Sequence, residues 1–96
     1  MEIEHIDGED RGKLMLYALS TCGWCRKTKK LLDDLGVAYD FIYVDKLAGD
    51  EKQAAREKVM EHNPACSFPT LVIDNERCIV GFKEPQIREE LGFSPE

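Results

Sequence analysis

The sequence predicts an α/β domain in which a central four-stranded mixed sheet is flanked by helices, in the order βαβαββα. Short apolar runs alternate with segments of helical periodicity, and a polar turn joins the last two runs. A connecting helix makes two strands parallel whereas a short turn makes them antiparallel, so the sheet is mixed. Ninety-six residues suit one domain. Residues 13–92 are its predicted core and residues 1–12 an arm.

The first half of the core predicts a strand, a helix and a second strand. KLMLYAL, residues 13–19, is nearly all apolar, as a strand buried on both faces would be. Ser20 and Thr21 are good N-cap residues, and we expect a helix from about Gly23 to a stop at Gly36. YDFIYV, residues 39–44, is rich in aromatic and β-branched residues and predicts a strand parallel to the first.

The second half predicts a helix, a hairpin and a last helix. The predicted bounds are a helix over 50–62 that stops at Asn63 and Pro64, strands at 71–73 and 78–80, and a helix over 85–91. The arm is expected to be solvated, with the alternation in EIEHI, residues 2–6, as a possible additional edge strand.

Composition limits the functions open to the chain. A formal net charge of -6 argues against nucleic acid, whose phosphates are bound by clustered cations. No segment approaches the roughly 20 apolar residues of a membrane span, and the acidic N-terminal stretch does not resemble a secretory signal. We therefore expect a cytoplasmic protein.

The chemistry of the chain is predicted at residues 20–30, STCGWCRKTKK. Cys22 and Cys25 are three residues apart at a strand-to-helix junction, which places them roughly 5 to 6 Å apart, a suitable distance for a reversible disulfide. Cys22 at the helix start is the expected nucleophile and Cys25 the expected resolving thiol. The cations that follow, Arg26, Lys27, Lys29 and Lys30, have no acid among them and are expected to favour the thiolate or attract an acidic substrate. A structural disulfide or half of a zinc site is the alternative, although no second C-x-x-C is present.

These residues carry a family resemblance. C-G-W-C at the first strand-helix junction, with Ser67-Phe68-Pro69-Thr70 before the third strand, resembles the glutaredoxins, which have the thioredoxin fold. Gly81-Phe82-Lys83 with Pro85 resembles the corresponding segment of the small glutaredoxin-like redoxins that reduce ribonucleotide reductase, and archaeal glutaredoxin-like proteins are also similar.

The resemblance implies a thiol-disulfide oxidoreductase that reduces protein disulfides or mixed disulfides. Its implied partners are disulfide-containing proteins, ribonucleotide reductase among them, and a thioredoxin-reductase-type flavoenzyme or a low-molecular-weight thiol as reductant. Glutathione or, in a methanogenic archaeon, coenzyme M is the candidate thiol, with no metal and no tightly bound cofactor. Leu19 stands where many glutathione-binding members carry lysine. An iron-sulfur cluster carrier is the alternative function, although members specialised for it usually replace the second cysteine with serine.

The predicted binding residues surround the two cysteines. They are Trp24, Phe68, Pro69, Gly81, Phe82 and Lys83. The resemblance implies a cis bond before Pro69, which would let the Phe68 backbone hold an extended substrate. Residues 81–83 either bind a carboxylate at the last helix or simply form a turn followed by a buried aromatic ring. Cys66 is expected to be inert, the alternative being a regulatory thiol, and Cys78 is expected to be a small buried hydrophobe.

Overall fold

A computed structural model describes residues 3–93, so the first two residues of the arm and residues 94–96 lie outside the described part. The elements are β1 (Glu4–Ile6), β2 (Leu14–Ala18), α1 (Gly23–Leu35), β3 (Tyr39–Tyr43), a 3₁₀ turn (Val44–Lys46), α2 (Gly49–His62), β4 (Thr70–Ile73), β5 (Arg77–Val80) and α3 (Glu84–Glu90). The predicted order of elements from β2 to α3 is confirmed.

The strands form one mixed sheet in the order β1-β3-β2-β4-β5. β2 and β3 are parallel, with Leu16 opposite Phe41, and the other three pairings between these strands are antiparallel. The four predicted strands are present and β1 adds a fifth. The described part of the arm is therefore joined to the domain, since Glu9 also exchanges backbone hydrogen bonds of 2.8 Å with Gly36 and Ala38.

Helices cover both faces of the sheet. Leu16 on β2 belongs to the larger apolar cluster, with Leu32 of α1 and Ile87 of α3, whereas Met15 and Tyr17 pack on the other face. This alternation follows from the period of two along a strand. On the second face, α2 buries only Ala55 and Val59. The two faces therefore have cores of unequal size.

The sheet brings three separate segments to one edge. β2 ends at Ala18, β4 begins at Thr70 and β5 ends at Val80. Because Tyr17 lies opposite Thr70, and Thr70 opposite Val80, these three strand ends are neighbours. The C-G-W-C segment, the segment before β4 and the segment after β5 therefore meet at this edge.

Candidate active site

Cys22 is the N-cap residue of α1. Its backbone is extended and its Sγ accepts a hydrogen bond from the Cys25 N–H at 3.2 Å. The prediction that Ser20 or Thr21 caps the helix is wrong. Ser20 instead donates its N–H to Asp45 Oδ1 at 2.9 Å and its hydroxyl to Oδ2. Cys22 therefore presents a half-buried sulfur to the free amides at the helix start.

Cys25 lies one turn further along, inside the core. It is 1% exposed, and its Sγ accepts the Leu19 N–H at 3.5 Å. Burial, reinforced by the hydrogen bond with Cys22, raises the pKa of the Cys25 thiol to about 12. The two cysteines thus differ in access, because Cys22 is half-buried at the helix start and Cys25 lies in the core.

Asp45 is an acidic neighbour that the sequence analysis missed. Its hydrogen bonds from Ser20 lower the pKa of its carboxyl group, and its negative charge contributes to the raised pKa of Cys25. Asp45 follows β3, whose carboxyl end lies beside that of β2. That position was readable from the predicted parallel pair, although the contact itself was not.

The cations of α1 do not act as one group. Lys29 Nζ lies 3.2 Å from Asp33 Oδ2, and Lys30 pairs in the same way with Asp34 at 2.9 Å. The expectation of an uncompensated positive field is therefore wrong for these two lysines. Lys27 has no carboxylate partner within residues 3–93, and its Nζ lies 4.6 Å from the centre of the Trp24 ring.

The segment before β4 carries the predicted cis bond between Phe68 and Pro69. Buried Asn63 holds this segment, because its side-chain amide donates to Ser67 O at 3.3 Å and to Thr70 Oγ1 at 3.2 Å. Asn63 was predicted only as a helix stop, and its hydrogen bonds to this segment are an additional role. In the described part of the chain, the backbone N–H and C=O of Phe68 have no hydrogen-bond partner. They are free to pair with an extended chain.

The segment after β5 contacts both of the others. Gly81, at a φ of +86°, donates its N–H to Pro69 O at 2.8 Å, so this amide is not available to the carboxylate site considered for residues 81–83. The Phe82 ring stacks on Trp24 with 6.1 Å between centroids and 25° between planes. Lys83 is the exposed residue before α3. Contacts thus join Pro69, Gly81, Phe82 and Trp24 in series, and Lys83 lies at the margin.

A cavity of about 180 Å³ adjoins the site on the α2 side of the sheet. It is lined by Leu19, Val44, Asp45, Lys52, Arg56, Cys66 and Phe68. Lys52 and Arg56 lie one helical turn apart on α2. Their place in the wall of this cavity was not predicted, because they are about 30 residues from the cysteines along the chain. Cys66 therefore faces cations that are distant in sequence.

Several other features lie apart from the cysteine pair. A cavity of about 380 Å³ is lined by Lys13 and His62 at the opposite end of β2. Cys78 is half-buried, and its thiol donates to His62 O at 3.1 Å. Within residues 3–93 there is no cluster of three metal-ligating side chains, and no helix has the length and apolar character to cross a membrane.

The fold and the site define an α/β protein of the thioredoxin fold with a C-x-x-C pair at the start of its first helix. A family profile named Glutaredoxin matches residues 14–79, and the chain belongs to the glutaredoxin family.

Similar proteins and structures agree with this assignment. The chain is 58% identical to a glutaredoxin from Methanosarcina mazei Go1, with a TM-score of 0.89 over 95% of this chain and 88% of that one. It is 57% identical to a methanoredoxin from Methanosarcina acetivorans, with a TM-score of 0.88 over 90% of each chain. Glutaredoxin 1 of Rickettsia bellii is 36% identical over 65% of this chain, which spans about three fifths (62%) of that relative's length.

Proposed function

We propose that the protein is a thiol-disulfide oxidoreductase that reduces protein disulfides or mixed disulfides. The observation that carries the proposal is the placement of Cys22 at the N-cap of α1, with buried Cys25 one turn away. The Cys22 thiolate attacks one sulfur of the substrate disulfide, forming a mixed disulfide and releasing the other sulfur as a thiolate. Cys25 then attacks the Cys22 sulfur, so that a Cys22–Cys25 disulfide forms and the second substrate thiol leaves. The proton of Cys25 passes to the solvent or to the leaving thiolate.

The Phe68 backbone is proposed to align the substrate chain. Its N–H and C=O have no hydrogen-bond partner in the described part of the chain, and they lie at the same edge of the sheet as the two cysteines. An extended substrate segment can pair with them as an added strand, which fixes its disulfide next to Cys22. Disulfide-bearing proteins, including ribonucleotide reductase, are the substrates that this arrangement and the family resemblance favour.

Single cysteine substitutions test the proposed roles. Cys22→Ser should abolish reduction of a model protein disulfide, because buried Cys25 cannot take over the attack from the start of α1. Cys25→Ser should retain only reactions that need one thiol, such as exchange with a low-molecular-weight mixed disulfide. Retained reduction of the protein disulfide by Cys22→Ser would contradict the assignment.

A small anionic thiol is the reductant that the α2-side cavity favours. Lys52 and Arg56 supply positive charge at its wall, while Leu19 and Phe68 supply apolar surface next to the redox centre. Glutathione and coenzyme M both carry a thiol and an anionic group, and the similarity to the two Methanosarcina proteins gives coenzyme M precedence. A thioredoxin-reductase-type flavoenzyme is the competing donor.

The donor is tested by supplying each reductant alone. Turnover should occur with a small thiol, and Lys52→Gln or Arg56→Gln should raise its KM roughly two- to fivefold, the usual effect of one exposed ionic contact. Lys58→Gln is the matched control, because the substitution removes the same charge from α2. Lys58 lines the cavity of about 380 Å³ rather than the cavity next to the cysteines. Turnover with the flavoenzyme alone would refute the small-thiol donor and leave the dithiol mechanism intact.

A further inference from the structure

An aromatic pair, exposed Trp24 and half-buried Phe82, lies near Cys22. Trp24, the only tryptophan of the chain, is 59% exposed, more than any other large apolar side chain within residues 3–93. The Phe82 ring stacks on the Trp24 ring. Large aromatic side chains that remain accessible are common anchors for protein partners because they bury much area at little entropic cost.

The cations around this pair are not neutralised. Arg26, Lys27 and Lys83 are exposed, and in the described part of the chain none has a carboxylate partner. Lys29 and Lys30 of the same helix are each paired. The surface beside Trp24 and Phe82 is thus locally positive in a chain whose formal net charge is -6.

A shallow groove continues from the aromatic pair between α1 and α3. Its volume is about 220 Å³, with Leu31 and Phe82 as its apolar wall. The groove also holds two ion pairs, Lys30 with Asp34 and Arg88 with Glu84. These pairs cancel in charge, so Lys27 leaves the groove positive. The groove therefore suits a segment with an apolar side chain, which contacts Leu31 and Phe82, and an acidic side chain, which pairs with Lys27.

We propose that Trp24, Lys27 and Phe82, flanked by Arg26 and Lys83, form a docking surface for acidic protein segments. The partner segment carries an apolar residue and one or more Asp or Glu residues next to its disulfide. The apolar residue packs on the Trp24–Phe82 pair and the acid pairs with Lys27, which presents the disulfide to Cys22. This inference rests on the proposed function and adds a substrate class to it, since segments with basic flanks are disfavoured.

Binding can be measured without any redox step. The probes are two peptides with the same Leu and a methylated cysteine, one flanked by Glu and the other by Lys. Trp24 fluorescence in the wild-type protein reports docking directly, because no other tryptophan contributes. The acidic peptide should shift and saturate the emission at low salt, with weaker binding at high salt. Lys27→Gln should weaken binding roughly two- to fivefold, as one exposed ion pair allows.

Lys13→Gln is the matched control, because it removes the same charge at the other end of β2, beside the large cavity. It should leave the binding of the acidic peptide unchanged. Equal affinity for the acidic and basic peptides, no binding of either, or an equal loss in the Lys27 and Lys13 variants would overturn the docking surface.

Turnover separates this inference from the function on which it rests. Wild-type protein that reduces a small uncharged disulfide but shows no charge preference between disulfide-bonded forms of the two peptides would retain the proposed function and lose the docking surface. Protein that binds the acidic peptide but reduces no disulfide would lose the proposed function instead. The positive result is a higher kcat/KM for the acidic disulfide peptide, reduced by Lys27→Gln through KM while kcat is kept.

Discussion

The buried position of Cys25 predicts that release of the substrate, the second thiol step, is steeply pH dependent. An ordinary cysteine has a pKa of about 9.0, whereas burial and the Cys22 hydrogen bond raise that of Cys25 to about 12. At neutral pH it therefore holds about a thousandfold less thiolate than an ordinary thiol. A more basic thiolate is a better nucleophile, which recovers roughly 15- to 30-fold. With the full shift, the net attack would be roughly 30- to 60-fold slower than that of an unperturbed thiol in the same geometry, and this is an upper limit because the mixed disulfide lacks the Cys22 contribution.

The mixed disulfide keeps the largest cause of the raised pKa of Cys25. Forming it consumes the Cys22 thiol and removes the contribution of that group to the pKa of Cys25. Burial is the largest cause and remains, because Cys25 is 1% exposed in the core. The pKa of Cys25 should therefore stay above its ordinary value throughout the cycle.

Ellman's reagent separates the two steps. One equivalent is added to the reduced protein with Cys66 and Cys78 replaced by alanine, so that only the site cysteines react. The first thionitrobenzoate is released by Cys22 and the second by Cys25 as the internal disulfide forms. The second rate should rise about tenfold per pH unit from neutral pH to beyond pH 9, the ordinary thiol pKa, without levelling off. A plateau at or below that pH would refute the reasoning, and Cys25→Ser should release one equivalent only.

Three further predictions concern stability, each measured by urea unfolding. Tyr39→Phe should cost about 1 to 3 kcal/mol, because the hydroxyl donates to Asp33 Oδ1 at 2.6 Å. Burial and the hydrogen bond to Asp33 raise the pKa of Tyr39 above its ordinary value of 10.0. The Tyr39 hydroxyl therefore stabilises the fold fully below about pH 10, and this contribution is lost as the pH rises further. If Tyr39→Phe lost stability at alkaline pH just as the wild type does, Tyr39 would not be the cause of that loss. Gly8→Ala should destabilise, since the new Cβ would lie 2.6 Å from Gly36 O, and a wild-type midpoint would refute that close approach. Asn63→Leu should cost roughly 1 to 3 kcal/mol because buried Thr70 Oγ1 loses the amide that donates to it, and the variant should also slow disulfide reduction; a purely structural loss with normal turnover would argue against a positioning role.

Much of the fold was readable because its signals are local. The apolar run of β2, the glycine stop at Gly36 and the polar turn between β4 and β5 each depend on neighbouring residues, and the structure has elements at all three. The ion pairs of Lys29 and Lys30 were also readable, since Asp33 and Asp34 lie four residues further along a predicted helix. They were nevertheless not among the predictions, which considered only the cations of residues 20–30.

The site was only partly readable. The C-x-x-C spacing and its place at a strand-to-helix junction predicted that Cys22 and Cys25 lie together, because helix geometry alone brings residues three apart together. The choice of cap was not settled by composition. Ser20 is a better N-cap residue than cysteine, but Asp45 takes its hydroxyl and N–H, and the cap position is then occupied by Cys22.

The sequence by itself determined the order of strands and helices and the proximity of the two cysteines, because periodicity, capping residues and spacing are properties of short segments. Only the tertiary structure decided the depth of Cys25, the approach of Asp45, the stacking of Phe82 on Trp24 and the cavity with Lys52 and Arg56. Each of these contacts joins segments that are distant along the chain. They depend on strand register and on which face of the sheet each helix covers, and those choices arise from packing of the whole domain rather than from any one segment.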